Sequence, residues 1–127
     1  MKIIRSNDLP FVPASHEDPR DPGVLKKILF QRNDLIEGNV QMINWALLPP
    51  GKSFRSHLHE SMDEIIIMLS GEAQMTIESE SETLTRGDAV IVPMKAIHEM
   101  KNTGTDPVEY IVLGIVQKPG GKTIVTT

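Results

Sequence analysis

The sequence contains no cysteine. That excludes disulfides, a thiolate zinc site and a cysteine nucleophile, and it suits a reducing compartment. No apolar run approaches the roughly 20 residues that a membrane helix needs. The opening stretch MKIIRSNDLPFVPAS is broken by Pro10 and Pro13 and offers no apolar segment of signal-peptide length. Positive charge is not in excess: a formal net charge of −4 exerts no general pull toward nucleic acid or anionic lipid. Gly-rich phosphate loops, Ser-His-Asp arrangements, internal repeats and helices with good caps are all missing. Aromatic residues are few, one Trp, one Tyr and three Phe, whereas methionine occurs seven times. Together these absences predict a soluble, cytoplasmic protein of one domain, since 127 residues can bury a core without staples.

What is present reads as β-structure. Residues 1–23 carry Pro10, Pro13, Pro19 and Pro22 and form a proline-rich arm, because proline at that density forbids long helix and central strand. GVLKKILF (23–30) is ambiguous between helix and edge strand. NVQMINWALL (39–48) ends at Pro49-Pro50-Gly51. EIIIMLSG (64–71) is almost wholly apolar, as expected of a strand covered on both faces. EAQMTIE (72–78) alternates, and the acidic ESESE after it reads as a solvated hairpin tip. TLTRGDAVIVP (83–93) and PVEYIVLGIV (107–116) are two further strand runs. Short strands punctuated this often imply an all-β sandwich or small barrel over 24–116, followed by a tail, 117–127, that can add one strand.

Within GKSFRSHLHESMDEIIIMLSG (51–71), His57 and His59 stand two apart. On a strand both rings project from one face. Glu64 follows, with Glu60 and Asp63 as competing carboxylates, and His98 is the next strong ligand candidate. By the same alternation Ser53 and Arg55 share the face of His57, which would let Arg55 clamp an anionic substrate. Met68 shares parity with Glu64 and Met100 with His98, so both are expected to line a cavity beside the ligands. Met42, Met75, Trp45 and Tyr110 read as core residues. His16, in a polar proline-rich loop, reads as a surface histidine.

The spacings are Gly51-x5-His57-x-His59-x4-Glu64-x6-Gly71 and Gly87-x5-Pro93-x4-His98-x3-Asn102. They resemble the two motifs of the cupin superfamily, strictly over 51–102 and loosely over 39–116. One position departs: where the family usually has glycine two residues after the proline, this chain has Lys95. The 15-residue spacer between Gly71 and Gly87 is similar to that of small microbial cupins. The resemblance implies a jelly-roll β-barrel in which His57, His59, Glu64 and His98 converge. Such a donor set suits one divalent transition ion per chain, Mn, Fe, Co, Ni, Cu or Zn.

Four protein ligands leave two positions open on an octahedral ion, the mark of a catalytic site. The leading expectation is therefore a metal-dependent oxidoreductase of the dioxygenase type acting on a small organic molecule, with Glu64 doubling as proton acceptor. The alternatives are a metal-dependent isomerase, lyase or decarboxylase, for which Tyr110, Lys95 and His16 are the candidate acids or bases, and a binding module without turnover. A homodimer is expected, paired through the arm, GVLKKILF or the tail KTIVTT.

Overall fold

The computed structural model describes residues 1–126. Its strands are β1 (Val12–Pro13), β2 (Leu25–Gln31), β3 (Val40–Leu48), β4 (His57–His59), β5 (Met62–Ser70), β6 (Glu72–Ile77), β7 (Glu80–Thr85), β8 (Ala89–Val92), β9 (His98–Asn102), β10 (Val108–Val116) and β11 (Thr123–Val125). Two short 3-10 turns, Ser6–Asp8 and Arg32–Asp34, are the helical elements among the described residues. Among them, no helix is long and apolar enough to cross a membrane.

The strands form two antiparallel sheets, ordered β1-β2-β3-β10-β5-β8 and β11-β4-β9-β6-β7. They face each other as a jelly roll. Alternation on each strand builds the space between them. On β10, Val108, Tyr110, Val112 and Val116 are buried, and on β9, His98, Met100 and Asn102 are buried while Glu99 and Lys101 are exposed. Leu48, Ile66, Met68 and Met100 are 2% exposed or less and anchor the apolar centre.

Several sequence expectations resolve here. GVLKKILF is a strand, β2, and the arm contributes β1 to its edge. The run 83–93 is two elements: β7 lies in one sheet and β8 in the other, and the chain crosses between them at Gly87, whose φ is +89°. The ESESE tip is smaller than expected, because Glu80 already begins β7 and the turn sits at Glu78. β5 is not covered on both faces: Ile66 and Met68 point inward, but Ile67 is 37% exposed on the outer side. The tail strand β11 pairs with β4 of its own chain; Thr127 lies outside the described residues.

The departure at Lys95 does not remove the turn. Ala96 N–H donates to Pro93 O, and Lys95 adopts φ +70° as the third residue of that turn. This left-handed region is easy for glycine and costly for a residue with a Cβ. What holds it is the Lys95 N–H, which donates to His59 O at 2.7 Å and so ties the turn to β4. Lys95→Gly should relieve the strain and raise stability by about 0.5–1 kcal/mol, a rise in melting temperature of about 2–4 °C by calorimetry. A lower melting temperature would contradict the backbone conformation described.

Candidate metal centre

Three strands from both sheets supply the site. β4 brings His57 and His59, β9 brings His98 directly opposite His57, and β5 brings Glu64 across from Val92 and Gly114. All four side chains are buried, and one donor atom from each lies within 4.8 Å of the others. Glu64 Oε1 stands 3.0 Å from His59 Nε2 and 3.2 Å from His98 Nε2. Metal bonds of about 2.1 Å would put neighbouring donors about 3 Å apart, so these separations suit one shared ion.

The hydrogen bonds make the case stronger. His57 Nδ1–H donates to Arg55 O, and His98 Nδ1–H donates to Ala96 O at 3.0 Å. Each ring is thereby oriented with Nε2 toward the centre. His98 Nε2 then faces Glu64 Oε1, an acceptor, so both contacts would need a doubly protonated ring unless a cation sits between. Buried His59 Nε2 lies close to Glu64 at an angle that makes no hydrogen bond, and it has no hydrogen-bond partner. Its Nδ1 is 2.9 Å from Thr123 Oγ1 on the tail strand. Lone pairs converging on a carboxylate in a buried space are unfavourable by themselves and favourable around a divalent ion. The residues present fit a metal.

Electrostatics agrees. Burial, then the neighbouring His16 and His98 rings, push His57 down to about 3, so it is a neutral ligand at ordinary pH. Burial alone would raise Glu64, but the nitrogens of His59 and His98 outweigh it and hold the carboxyl well below the usual range. That makes Glu64 a good anionic ligand and a weak proton acceptor.

A cavity of about 320 Å³ opens beside the cluster. Its wall differs from the one expected. Arg55 is exposed and lies outside the cavity's lining; Phe54 takes the inward direction. The reason is that residues 54–56 are not strand, so strict alternation begins only at His57. Met68 and Met100 keep their inward parity but pack fully buried in the core away from the cavity wall, where Met42 and Met62 stand instead. Tyr110, read from sequence as core, is buried and also lines the cavity.

His16 is the larger correction. It is no surface histidine: its ring lies 4.0 Å from that of His57, nearly parallel at 22°, and it lines the cavity. Its Nδ1–H donates to Glu17 Oε2 at 2.9 Å. Glu17, with a side chain only 2% exposed, also accepts from the backbone N–H of Gly23 and of Arg55. Sequence reading missed Glu17 because its partners are up to 38 residues away. Asn44 was missed too; its buried Oδ1 has no hydrogen-bond partner, and the residue lines the cavity.

Two measurements check this centre. His57→Ala, His59→Ala and His98→Ala should each lose stoichiometric metal by elemental analysis while keeping a β-rich circular dichroism spectrum, and Thr123→Val should weaken binding about 10-fold. Full occupancy in His98→Ala would remove it from the ligand set. The metal-free protein should also lose stability as pH falls from 7 to 5. Folded His57 binds a proton only near 3, whereas the unfolded chain binds one near 6.5, so acid favours unfolding across that window. Urea midpoints that do not fall over this range, or an equal fall in His57→Gln, would contradict the assignment.

Comparison with known proteins follows the same line. The cupin domain family matches residues 44–114. An uncharacterized protein of Methanocaldococcus jannaschii is 26% identical over 87% of this chain and 85% of its own length. The chain is also 28% identical to a Klebsiella pneumoniae mannose-1-phosphate guanylyltransferase, but it spans only 15% of that protein. Among solved structures, a predicted oxalate decarboxylase of Thermotoga maritima superposes with TM-score 0.80 at 24% identity, covering 91% of this chain and 99% of that one. The polyketide cyclase RemF of Streptomyces resistomycificus superposes with TM-score 0.78 at 16% identity, over 100% of this chain and 87% of its own. With its two sheets, its paired motifs and its converging His and Glu side chains, the chain belongs to the cupin domain family.

Proposed function

We propose that this protein is a metal-dependent enzyme that moves a proton on a small, oxygen-bearing organic molecule, a reaction of the isomerase, lyase or decarboxylase type. The observation that carries this reading is the His16–Glu17 pair beside the ligand cluster. A carboxylate only accepts hydrogen bonds, so the pair places the hydrogen of a neutral His16 on Nδ1 and the lone pair on Nε2. Burial, opposed by Glu17, holds His16 below its ordinary value, so it enters the reaction as a free base. Glu17 orients the ring and stabilises the imidazolium formed when Nε2 takes a proton.

A divalent ion held by His57, His59, Glu64 and His98 would act as a Lewis acid, polarising a substrate carbonyl or carboxylate. The remaining roles belong to other side chains. Asn44 Oδ1 offers an acceptor to a substrate hydroxyl or N–H. Burial first, then the negative charge of Glu64, raises Tyr110 above its ordinary value, so its hydroxyl serves as a donor and never as a base. Lys26 lines the cavity and donates to Ser15 Oγ at 2.8 Å; it supplies the cation that Arg55 was expected to provide for an anionic substrate. About 320 Å³ suits a molecule of modest size. That the same barrel carries proteins described as a predicted oxalate decarboxylase and a polyketide cyclase adds support from the scaffold.

Dioxygenase chemistry is the second reading. It is favoured by the donor count, since four side chains on a six-coordinate ion leave room for a substrate and dioxygen together. The separating experiment loads metal-free protein with Fe(II), Mn(II), Ni(II), Cu(II) or Zn(II). Small 2-oxo acids, hydroxy acids, enols and catechols are then screened in air and under argon, with product analysis and an oxygen electrode. Turnover equal with and without oxygen, and supported by Zn(II), is expected. His16→Gln should lower kcat about 10²–10⁴-fold with metal content unchanged. Substrate-dependent oxygen uptake confined to redox-active metals would replace this reading by the dioxygenase. Tight ligand binding with no product under any metal would leave a binding module.

A further inference from the structure

A second cavity of about 450 Å³ adjoins the metal cavity, and the two share Lys26, Gln41, Met42 and Asn44. It lies where β2 runs out into the Arg32–Asp34 turn, against the first half of β3. A β-bulge builds this place. Ile28 stands across from Asn44 and Phe30 across from Ile43, so β2 carries one residue more than β3 between them. Unbroken alternation from Lys26 and Ile28 would turn Phe30 inward and Gln31 outward. With the bulge, Gln31 stands across from cavity-lining Met42 and, with Arg32 and Asn33, lines the second cavity.

This lining has one sign of charge. Lys26 and Arg32 are its charged residues, Gln31, Asn33, Gln41 and Asn44 add amides, and no described Asp or Glu takes part, in a chain of net charge −4. The metal cavity, by contrast, is lined by Glu60 and Glu64 as well. Arg32 Nη1 is buried without a hydrogen-bond partner among the described residues. A buried cationic donor left unpaired is unfavourable, and an oxyanion is the group that pairs it best. Asp34, the carboxylate of the same turn, accepts from the Gln31 N–H at 2.9 Å and pairs with Lys2 Nζ at 3.2 Å. Lys26 Nζ gives one of its three hydrogens to Ser15 Oγ and keeps others for a ligand. Asn44 is 6% exposed and belongs to the wall common to both cavities; its unpartnered Oδ1 accepts an O–H or N–H.

We propose that the substrate is a two-ended molecule whose far end is an oxyanion, a carboxylate or a phosphate monoester, bound in the second cavity by Arg32 and Lys26. Between its ends a hydroxyl or N–H donates to Asn44 Oδ1. This places the substrate among hydroxylated or aminated acids and phosphate monoesters, and not among uncharged enols or catechols. The assignment of the two ends rests on the reading of the metal cavity as the reacting centre; the anion site does not.

An NMR titration of the metal-free full chain with sodium phosphate, acetate and chloride at constant ionic strength tests the site without turnover. The Arg32 Nε–H and the side-chain amides of Gln31, Asn33 and Gln41 should shift with the oxyanions and not with chloride. Whichever oxyanion binds tighter tells phosphate from carboxylate. Arg32→Gln and Lys26→Gln should each weaken binding about 10-fold, and Arg32→Lys should restore it only in part, since it keeps the charge and loses the fork. Lys101→Gln, at an exposed position of β9, should leave binding unchanged. For a compound turned over in the metal-loading screen, Arg32→Gln should raise KM about 10- to 100-fold for the acid, and far less for its methyl ester or dephosphorylated form. Shifts spread over the surface, an equal response to chloride, or wild-type binding in Arg32→Gln would overturn the anion site. Binding here with turnover confined to uncharged compounds would overturn its assignment to the substrate. Binding here with no turnover under any metal would support the anion site and remove the enzyme reading instead.

Discussion

A three-residue strand carries half of the candidate metal ligands, and its neighbours on every side hold that strand in place. β4 contains only His57, Leu58 and His59, too short to be stable by its own ladder. β9 pairs with it on one side, setting His57 against His98, and the tail strand β11 pairs on the other. From the N-terminal side, Glu17 grips the backbone N–H of Arg55, two residues before the first ligand. The turn at Lys95 donates to His59 O, so even the one strained residue in the second motif is spent on fixing β4. The proline-rich arm and the strand β11 therefore act here as parts of the centre.

The same packing sets the chemistry. Burial strips water from three imidazoles and one carboxylate and leaves their donor atoms facing one another. Carbonyl acceptors on Arg55 and Ala96 take up the outer ring nitrogens, which aims the inner ones at a common point. His16 repeats the device one layer out, with Glu17 in place of a carbonyl and the cavity in place of a metal. What sets His16 apart is its place: it lines the cavity with a carboxylate behind it, while the donor atoms of His57, His59 and His98 converge with Glu64.

Alternation ties this interior to the exterior. On β5 the inward residues include Glu64, Ile66 and Met68, and the outward ones are Ile65 and Ile67. On β3 and β10 as well, one side lines the barrel and the other faces outward. The six-stranded sheet thus turns one apolar side to the second sheet and the other, with Ile67 and Ile91 exposed, outward.

Much of this was legible in residue order. The strand runs 39–48, 64–71 and 107–116 are marked by apolar, β-branched residues between turn signals and 72–78 by alternation, and the candidate ligand set follows from spacings within two short segments. Such signals are local, so they survive without coordinates. Parity failed where the backbone left the strand: Ser53, Arg55 and His57 share a face only if 53–57 is regular, and the irregular stretch at 54–56 turned Phe54 inward instead. The sequence by itself thus determined the all-β fold, the four residues that cluster as candidate metal ligands and the anomalous turn at Lys95. Only the tertiary structure decided that His16 and Glu17 belong to the site, that Arg55 does not line the cavity and that the outward side of the larger sheet is open. Each of these depends on contacts between residues far apart in the chain, such as Glu17 with Arg55, and no local pattern encodes which distant backbone groups a loop will meet.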